Sequence, residues 1–332
     1  MKYKYTQIAQ EADVSISTVS RVLRGLKGAS EETRQKIFAT AQAIGHYPAI
    51  LSPRVEMVLL GRERKTLSLR ADPFYALVLE GIEARARTLK IRLALNRLPE
   101  DIGPYGVLYM GHGNKNQLND LAREGQQVTL VDEDDSRFDR VVSQNEEGGE
   151  AGANHLLDQV PTDKGIAVIA GRSEHYSFRL RRKGAIAALL AAGRFNPELV
   201  FEPSKELERP RETDSEFEQQ RLGGRLAARW VRDRLDQIGG VVVHNDLAAL
   251  SMLEEFARLG VGVPDQVKVV GFDDEIGASD APIPLSTVRV DHMAMGMWAV
   301  DLLLLRILDH KRPIVKIVVG SQFIERASSR RT

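Results

Sequence analysis

Residues 13–24 read DVSISTVSRVLR and place four hydroxyl side chains and two arginines in one short stretch. Ser and Thr are poor residues for a helix interior, because their side chains compete for the local backbone. The apolar residues nevertheless follow a helical pattern, since Val19, Val22 and Leu23 stand at i, i+3 and i+4. The hydroxyl side chains and arginines on the other face therefore do not serve helix formation, and they indicate a contact with a partner outside the helix.

The neighbouring sequence predicts two more short helices around this one. An upstream helix covers residues 6–12, and Ser15 is placed to cap the second helix. Ser30, followed by two glutamates, begins a third helix that Gly45 and Pro48 end. Three short helices with a tight break between the first two predict a helix-turn-helix.

The outer face of the second helix carries the pattern of a DNA-binding surface. Ser17, Ser20, Arg21 and Arg24 recur along one face. Short hydroxyls let a helix approach phosphates, and an arginine can bind a guanine edge with two hydrogen bonds. An ordinary solvated face is the alternative. The chain has no net charge, but residues 1–48 hold seven Lys/Arg against four Asp/Glu, which favours DNA.

The composition narrows the class of protein. The chain has 332 residues and is 43% hydrophobic, enough for two or three packed domains. It contains no cysteine, so disulfides and thiolate zinc sites are excluded. Its start lacks the apolar stretch of a signal peptide, and no run is long enough to span a membrane. We expect a cytoplasmic protein without membrane partners.

After residue 55, short apolar runs alternate with amphipathic helices. This alternation predicts parallel sheets covered by helices on both faces. The predicted strands are VEMVLL (55–60), IRLAL (91–95), GVLYM (106–110), QVTLVD (127–132), GIAVIAG (165–171), GVVVHND (240–246) and VKVVGFDD (267–274). The predicted helices cover 75–88, 147–158, 178–192, 217–235 and 247–259.

Polar residues follow several of these strands. They are Asp132, Gly171–Ser173, His244–Asp246 and Asp273–Asp274. Ligands of open α/β sheets bind at the carboxyl ends of the strands, so the sequence predicts a small-molecule cleft there.

These stretches resemble the LacI/GalR family of bacterial repressors. YTQIAQEADVSISTVSRVLRG and SEETRQKIFATAQAIGHYP resemble its DNA-binding head. SFRLRRKGAIAALLAAG, VVHNDLAALSMLEEFARLGVGVPDQVKVVGFDD and PLSTVRVDHMAMG resemble its body. The resemblance covers residues 4–326 and implies an N-terminal all-α helix-turn-helix head. It further implies an α/β body with parallel sheets and two subdomains of periplasmic-binding-protein type.

The resemblance also implies a division of the chain and a homodimer. The expected units are a helix-turn-helix domain (1–48), a hinge (49–54), an N-subdomain (55–160 with 287–311), a C-subdomain (161–286 with 312–326) and a tail (327–332). A small-molecule effector would bind between the two subdomains.

Site residues are carried over by motif. The expected phosphate contacts are Ser15, Thr18 and Ser20, and the expected groove-facing residues are Ile16, Ser17 and Arg21, with Arg24 on the same helix face. The expected effector-binding residues are Arg181, Asn245 and Asp273, with Ser177 and His292 at neighbouring positions and Phe74 and Tyr75 as an apolar wall. A guanidinium, an amide and a carboxylate together suit vicinal hydroxyls.

The sequence departs from the family at two places. Asp13 stands in the turn, where the family usually has glycine. Residues 48–53 read PAILSP and lack the family's hinge motif, and Pro53 leaves little room for a helix around Leu51.

We therefore expect a transcriptional repressor whose operator affinity is controlled by a sugar or glycoside, such as a galactoside, without cofactor, metal or catalysis. Three alternatives stay open: a relative that responds to a nucleobase or nucleoside, a sugar sensor without specific DNA binding, and an enzyme that uses the acidic strand ends. The acidic run at 131–140 is predicted to be a solvated loop, Asp273 and Asp274 to point apart, and 201–217 to be a surface loop.

Overall fold

The computed structural model describes residues 2–23, 29–44, 56–61, 72–89, 91–95, 106–111, 115–206 and 216–330. It begins with α1 (Lys2–Ala12), α2 (Ile16–Leu23) and α3 (Glu31–Ala43), which pack on one another. Their shared core is formed by Ile8, Ala9, Ala12, Val19, Val22, Leu23, Ile37 and Ala41. The predicted helix-turn-helix is confirmed, while Arg24 and the hinge at 49–54 lie outside the described residues.

Side-chain caps begin the second and third helices, as predicted. The Oγ of Ser15 accepts a hydrogen bond from the backbone N–H of Thr18 at 3.0 Å, and that of Ser30 does the same for Thr33 at 3.2 Å. Asp13 has a φ of 54° in the turn before α2. This left-handed conformation explains why glycine is common there, and Asp tolerates it better than most residues.

The body contains twelve strands within the described ranges. They are β1 (Glu56–Gly61), β2 (Arg92–Leu95), β3 (Gly106–Met110), β4 (Gln127–Val131), β5 (Asp139–Ser143), β6 (Gly165–Ile169), β7 (Val200–Phe201), β8 (Ile238–Val243), β9 (Lys268–Val270), β10 (Thr287–Val290), β11 (Lys316–Val319) and β12 (Ser321–Ile324). Short 3₁₀ helices lie at Pro197–Leu199 and Pro203–Lys205.

Eight α-helices of the described ranges accompany these strands. They are α4 (Pro73–Leu89), α5 (Lys115–Arg123), α6 (Asn145–Gln159), α7 (Tyr176–Ala191), α8 (Glu216–Arg232), α9 (Asp246–Leu259), α10 (Ile276–Asp280) and α11 (His292–Leu308). None of the described helices is long and apolar enough to cross a bilayer.

Two parallel sheets define two lobes. The first lobe has strand order β11-β5-β4-β3-β1-β2, and the second has β7-β6-β8-β9. A separate antiparallel pair joins β10 to β12. The apolar strands are buried on both faces, as expected for parallel sheets with helical crossovers.

The packing corrects the predicted lobe boundaries at three places. Helix α6 packs against α7, so residues 145–159 belong to the second lobe. Strand β10 lies beside residues of the second lobe, because Val270 pairs with Ser286 and Asp273 with Arg289. Strand β11 pairs with β5 and joins the first sheet. The chain therefore crosses between lobes near residues 144, 291 and 320.

Two glycines set the close contact between α6 and α7. A side chain on Gly184 would collide with the carbonyl oxygen of Glu146, and one on Gly149 would collide with that of Arg181. The two helix backbones can approach this closely only without side chains at these positions. This contact holds the residues at the starts of both helices close together.

Candidate functional site

The outer face of α2 is exposed and polar. Val19, Val22 and Leu23 are fully buried, whereas Ile16 is 50% exposed and Arg21 is exposed. The Oγ of Ser15 lies 2.7 Å from both Ser17 Oγ and Thr18 Oγ1, while Ser20 is half-buried. Short hydroxyls beside an arginine suit a nucleic-acid backbone and base edge.

A cavity opens at the carboxyl ends of the strands, between the two lobes. It is lined by Asp72, Phe74, Tyr75, Asp132, His175, Phe178, Arg181, Gln220, Asn245, Asp273 and Glu275. We call this cavity the cleft. Its position is the one that the strand-end argument predicts.

Arg181 is the central cation of the cleft. Its Nη1 and Nη2 donate to the two carboxylate oxygens of Asp273 at 3.1 and 2.8 Å. Its Nε donates to Asn145 Oδ1 at 2.8 Å, and Nη1 also donates to the carbonyl oxygen of His244 at 2.9 Å. The guanidinium lies 3.8 Å from the ring centroid of Phe272. These contacts fix the guanidinium and leave one of its five N–H groups without a partner among the described residues.

A chain of polar side chains joins the two lobes beside Arg181. Asn145 Nδ2 donates to Ser177 Oγ at 3.2 Å, and Ser177 Oγ donates to Asp132 Oδ1. Asp132 Oδ2 accepts a further hydrogen bond from the hydroxyl of Tyr75 at 3.2 Å. Asp132 follows β4 of the first lobe and Ser177 lies on α7 of the second, so this contact closes the cleft on one side.

Three aspartates that follow β4 and β9 have left-handed backbones, namely Asp132, Asp273 and Asp274. Asp132 has a φ of 61° and Asp273 a φ of 113°. Such conformations are costly for residues with a Cβ and concentrate at functional sites. Of these three, Asp132 and Asp273 line the cleft. Asp274 instead pairs with Arg289 and Arg326 at 2.6 Å, so the prediction that Asp273 and Asp274 point apart is confirmed.

Burial dominates the electrostatics of the cleft. It raises the pKa of Asp273 to about 7, although Arg181 opposes that shift. It also raises the pKa of Asp246 and Glu275 well above their usual values, and the nearby carboxylate of Asp273 adds to both shifts. Burial lowers the pKa of His292 to about 4.

The remaining predicted residues lie in or beside the cleft. Asn245 caps α9 by accepting a hydrogen bond from Ala248 N–H at 3.0 Å, and its amide donates to Gln220. Phe74 packs edge-on against His292 with ring centroids 4.8 Å apart. His292 is buried but does not line the cleft itself.

The sequence matches two family models. Residues 6–49 match the bacterial regulatory proteins of the lacI family. Residues 153–329, more than half of the chain, match the periplasmic binding protein-like domain. Together with the helix-turn-helix and the two-lobed body, these matches decide the family. The chain belongs to the LacI family of bacterial transcriptional regulators.

Regulators of the same family align along nearly the whole chain. The regulator GalR of Lacticaseibacillus casei is 29% identical over 98% of this chain and 98% of its own. The regulator CelR of Thermobifida fusca is 27% identical over 97% and 96%. The repressor PurR of Aliivibrio fischeri is 23% identical over 93% and 94%.

Solved structures of LacI-family proteins share the fold. The complex of the transcriptional regulator CelR with cellobiose has a TM-score of 0.69 and 24% identity, covering 98% of this chain and 99% of that one. The Lac repressor dimer bound to operator and the anti-inducer ONPF has a TM-score of 0.66 and 20% identity, covering 97% of each chain.

The effector-binding residues selected from the sequence did not include Asn145, which contacts Arg181, or six residues that line the cleft: Asp72, Asp132, His175, Phe178, Gln220 and Glu275. Asp72, Asn145, Gln220 and Glu275 all lie at or near the start of helices. Each is an ordinary polar residue locally, and only Glu275 carried a signal, because it directly follows the GFDD motif of the LacI family.

The acidic run at 131–140 is not the solvated loop that we predicted. Asp132 and Asp139 are 3% and 0% exposed, and Asp134 pairs with Lys316 at 2.8 Å. The carboxylates are buried because arginines and hydroxyls from distant segments reach them. Within the described ranges, no group of three His, Cys, Asp or Glu residues has a metal-binding arrangement. Residues 207–215 of the predicted surface loop lie outside the described residues.

Proposed function

We propose that the chain is a homodimeric repressor whose affinity for a pseudo-palindromic operator is set by a small sugar or glycoside in the cleft. The observation that carries the proposal is the buried Arg181–Asp273 pair, which faces a cavity in the same chain as an exposed DNA-binding helix. A guanidinium beside a carboxylate offers the donors and acceptors that vicinal hydroxyls require. The phenyl ring of Phe74 supplies an apolar surface for a sugar face.

On DNA, the two copies of α2 would enter successive major grooves about one helical turn apart. Ser15, Thr18 and Ser20 would contact phosphates, and Ile16, Ser17 and Arg21 would face base edges. Arg24 would extend the same face. Relatives named as repressors and the solved Lac repressor–operator dimer support this assignment.

The contact between Ser177 and Asp132 suggests how the two events are coupled. It joins the lobes at the edge of the cleft, so a ligand that binds there changes the balance between closed and open arrangements. If DNA binds one arrangement better, the ligand shifts the DNA-competent population. We propose that the effector releases the operator.

A nucleobase or nucleoside is the alternative effector. The rings of Phe74 and Phe178 both line the cleft, and a planar base could stack on either. The cellobiose bound by the structural relative CelR favours the sugar instead.

The decisive experiment is fluorescence anisotropy with DNA from around the protein's own gene, at fixed salt, with and without mono- and disaccharides and nucleosides. We expect tight, sequence-specific binding that one sugar weakens. If only a nucleoside changes specific DNA binding, the effector is a nucleoside and not a sugar. If no specific DNA binding is observed, the chain is a sugar sensor without an operator.

Arg21→Ala provides the matched test of the DNA contact. We expect it to lower operator affinity by about 1–3 kcal/mol and to relax preference at one base pair, because a bidentate arginine reads a single guanine. Lys36→Ala removes a charge from the exposed part of α3 and should leave base preference unchanged. If operator and random DNA bind alike before and after Arg21→Ala, Arg21 does not read bases.

A further inference from the structure

Acidic groups outnumber basic ones among the described residues that line the cleft. The acidic side chains are Asp72, Asp132, Asp273 and Glu275, and Arg181 is the only Lys or Arg among the lining residues. Asp72 and Asp132 both raise the pKa of Asp273, and Asp72 and Asp273 both raise the pKa of Glu275. These carboxyl groups therefore lie close together. A neutral polyol does not require such an excess.

Three of the four carboxylates have partners in the protein. Asp273 forms the ion pair with Arg181, with an oxygen–nitrogen distance of 2.8 Å. Asp132 accepts hydrogen bonds from a tyrosine and a serine hydroxyl. Asp72 accepts from the backbone N–H groups of Phe74 and Tyr75, at 3.0 and 3.3 Å, where its charge also favours the start of α4.

Glu275 is different. Its side chain is buried, at 5% exposure, and it lines the cleft. Its backbone N–H donates to Asp246 Oδ2 at 3.0 Å and its carbonyl accepts from Ala278 at 2.8 Å. Among the described residues, however, none donates a hydrogen bond to its carboxylate. The carboxyl group of Glu275 lines the cleft, so it takes its hydrogen-bond donors from what occupies the cleft, and a ligand there can supply a donor that the described residues do not.

We propose that the effector carries a cationic amino group, as in an amino sugar or its glycoside, and that this group binds the carboxylate of Glu275. The proposal rests on the proposed function, because it specifies the sugar that occupies the cleft. An ammonium group has three donors and no acceptor, so it can reach Glu275 and a neighbouring carboxylate together. Charge-assisted hydrogen bonds of this kind are the strong ones in a buried site.

The ring hydroxyls of such a sugar have separate partners. Arg181, with its free N–H, and Asn245, with its side-chain amide, both line the cleft. These groups would bind neutral and amino sugars alike. Glu275 is therefore the residue that would distinguish an amino sugar from a neutral one. The neutral parent sugar is the matching control ligand.

Binding of an ammonium group would also release protons. Burial keeps the pKa of Glu275 well above its usual range. Asp72, Asp246, Asp273 and Arg181 are the charged groups that face it, and only Arg181 opposes this shift. An ammonium ligand favours the ionised carboxylate, so near neutral pH its binding displaces a proton that a neutral sugar leaves in place.

The test compares matched pairs by isothermal titration calorimetry on the full chain. The probes are D-glucosamine with D-glucose and D-galactosamine with D-galactose, together with the two N-acetylated sugars, which lack the charge. We expect one amino sugar to bind at least about tenfold more tightly than its neutral and acetylated forms. Glu275→Gln should abolish that preference, while Glu254→Gln, an exposed residue on α9, should preserve it.

Titrations in phosphate and Tris buffers measure proton release on the unmodified protein. We expect release with the amino sugar alone, which tests the proposal even if Glu275→Gln fails to fold. Neutral sugars that bind as tightly as amino sugars would overturn this inference and leave the proposed function standing. If no sugar of either kind binds, the proposed effector class fails as well.

Discussion

Two buried arginine–aspartate clusters lie in the body of this protein and differ in what surrounds them. In the first lobe, Arg306 and Arg312 both pair with Asp139, which is fully buried. In the cleft, Arg181 pairs with Asp273 at similar burial. The chemistry is the same, so the difference between a structural cluster and a binding site must come from their neighbours.

The carboxylate of Asp139 has its acceptor sites filled by the protein. The carboxylate accepts from Arg306 Nε at 2.8 Å, from Arg306 Nη2 at 3.0 Å and from Val315 N–H at 2.7 Å. Arg306 donates onward to the carbonyls of His310, Arg312 and Pro313. Both clusters border a pocket, but the cleft cluster also carries an excess of carboxyl groups. A buried carboxylate whose acceptor sites are filled by the protein indicates a structural role. Buried carboxyl groups that lack hydrogen-bond donors indicate a ligand-binding site.

The largest effect is expected for Asp139→Asn. It leaves the buried guanidinium of Arg306 and the partly buried one of Arg312 without their counter-charge, and should lower the free energy of unfolding by about 3–5 kcal/mol. Urea denaturation measures this loss. Asp120→Asn, which affects an exposed pair with Arg123, is the control and should change stability by about 0–1 kcal/mol. If Asp139→Asn lowers the free energy of unfolding no more than Asp120→Asn does, the Asp139 cluster is not a structural element.

The next effect concerns His292, which is buried beside the cleft cluster. Its folded-state pKa of about 4 lies below the value of 6.5 in the unfolded chain, because burial and then Arg181 disfavour its cation. The unfolded state therefore binds more protons between these values, and stability falls as pH falls from 6.5 towards 4.

His292→Gln should remove this contribution. Relative to the unmodified protein, the variant should lose about 2 kcal/mol less stability between pH 7 and pH 5. Unfolding curves at both pH values give the change in stability for each protein. Carboxyl groups with raised pKa values contribute equally to both proteins, so their contribution cancels when the two changes are compared. Parallel pH profiles for the two proteins would show that His292 is readily protonated in the folded state.

A smaller change in stability is expected for Asp273→Asn. The substitution breaks the pair with Arg181 but also relieves Asp246 and Glu275, whose pKa values Asp273 raises. We expect a loss of about 1 kcal/mol in urea denaturation, together with loss of the sugar response in operator binding. If this variant were as unstable as Asp139→Asn, the cleft cluster would also be structural.

The smallest effect is expected for Arg289→Ala. Arg289 is half-exposed and donates to Asp274 at 2.6 Å, while Arg326 keeps the same carboxylate paired. A solvent-screened pair with a remaining partner should contribute about 0–1 kcal/mol. Sugar binding should be unchanged, since Asp274 points away from the cleft. Loss of sugar binding in Arg289→Ala would extend the site beyond the cleft residues.

Local sequence determined most of the secondary structure and identified five of the residues that line the cleft: Phe74, Tyr75, Arg181, Asn245 and Asp273. The period of Val19, Val22 and Leu23 fixed the buried face of α2, and apolar runs located the parallel strands, because burial at regular spacing leaves a local signal. Motif positions found Arg181 and Asp273, which form an ion pair and both line the cleft. Their roles towards an effector and DNA stay predictions.

Tertiary structure decided what those residues face. Strand β5 gains its partner β11 from more than 170 residues away, and no local pattern announces such a pairing. The same long-range packing buries Asp132 and Asp139 in a run that looks solvated, and it brings Glu275 into the cleft without a donor. The sequence shows which residues are apolar and with what period they recur. Whether a buried charged group finds hydrogen-bond partners depends instead on all the neighbours that folding brings to it.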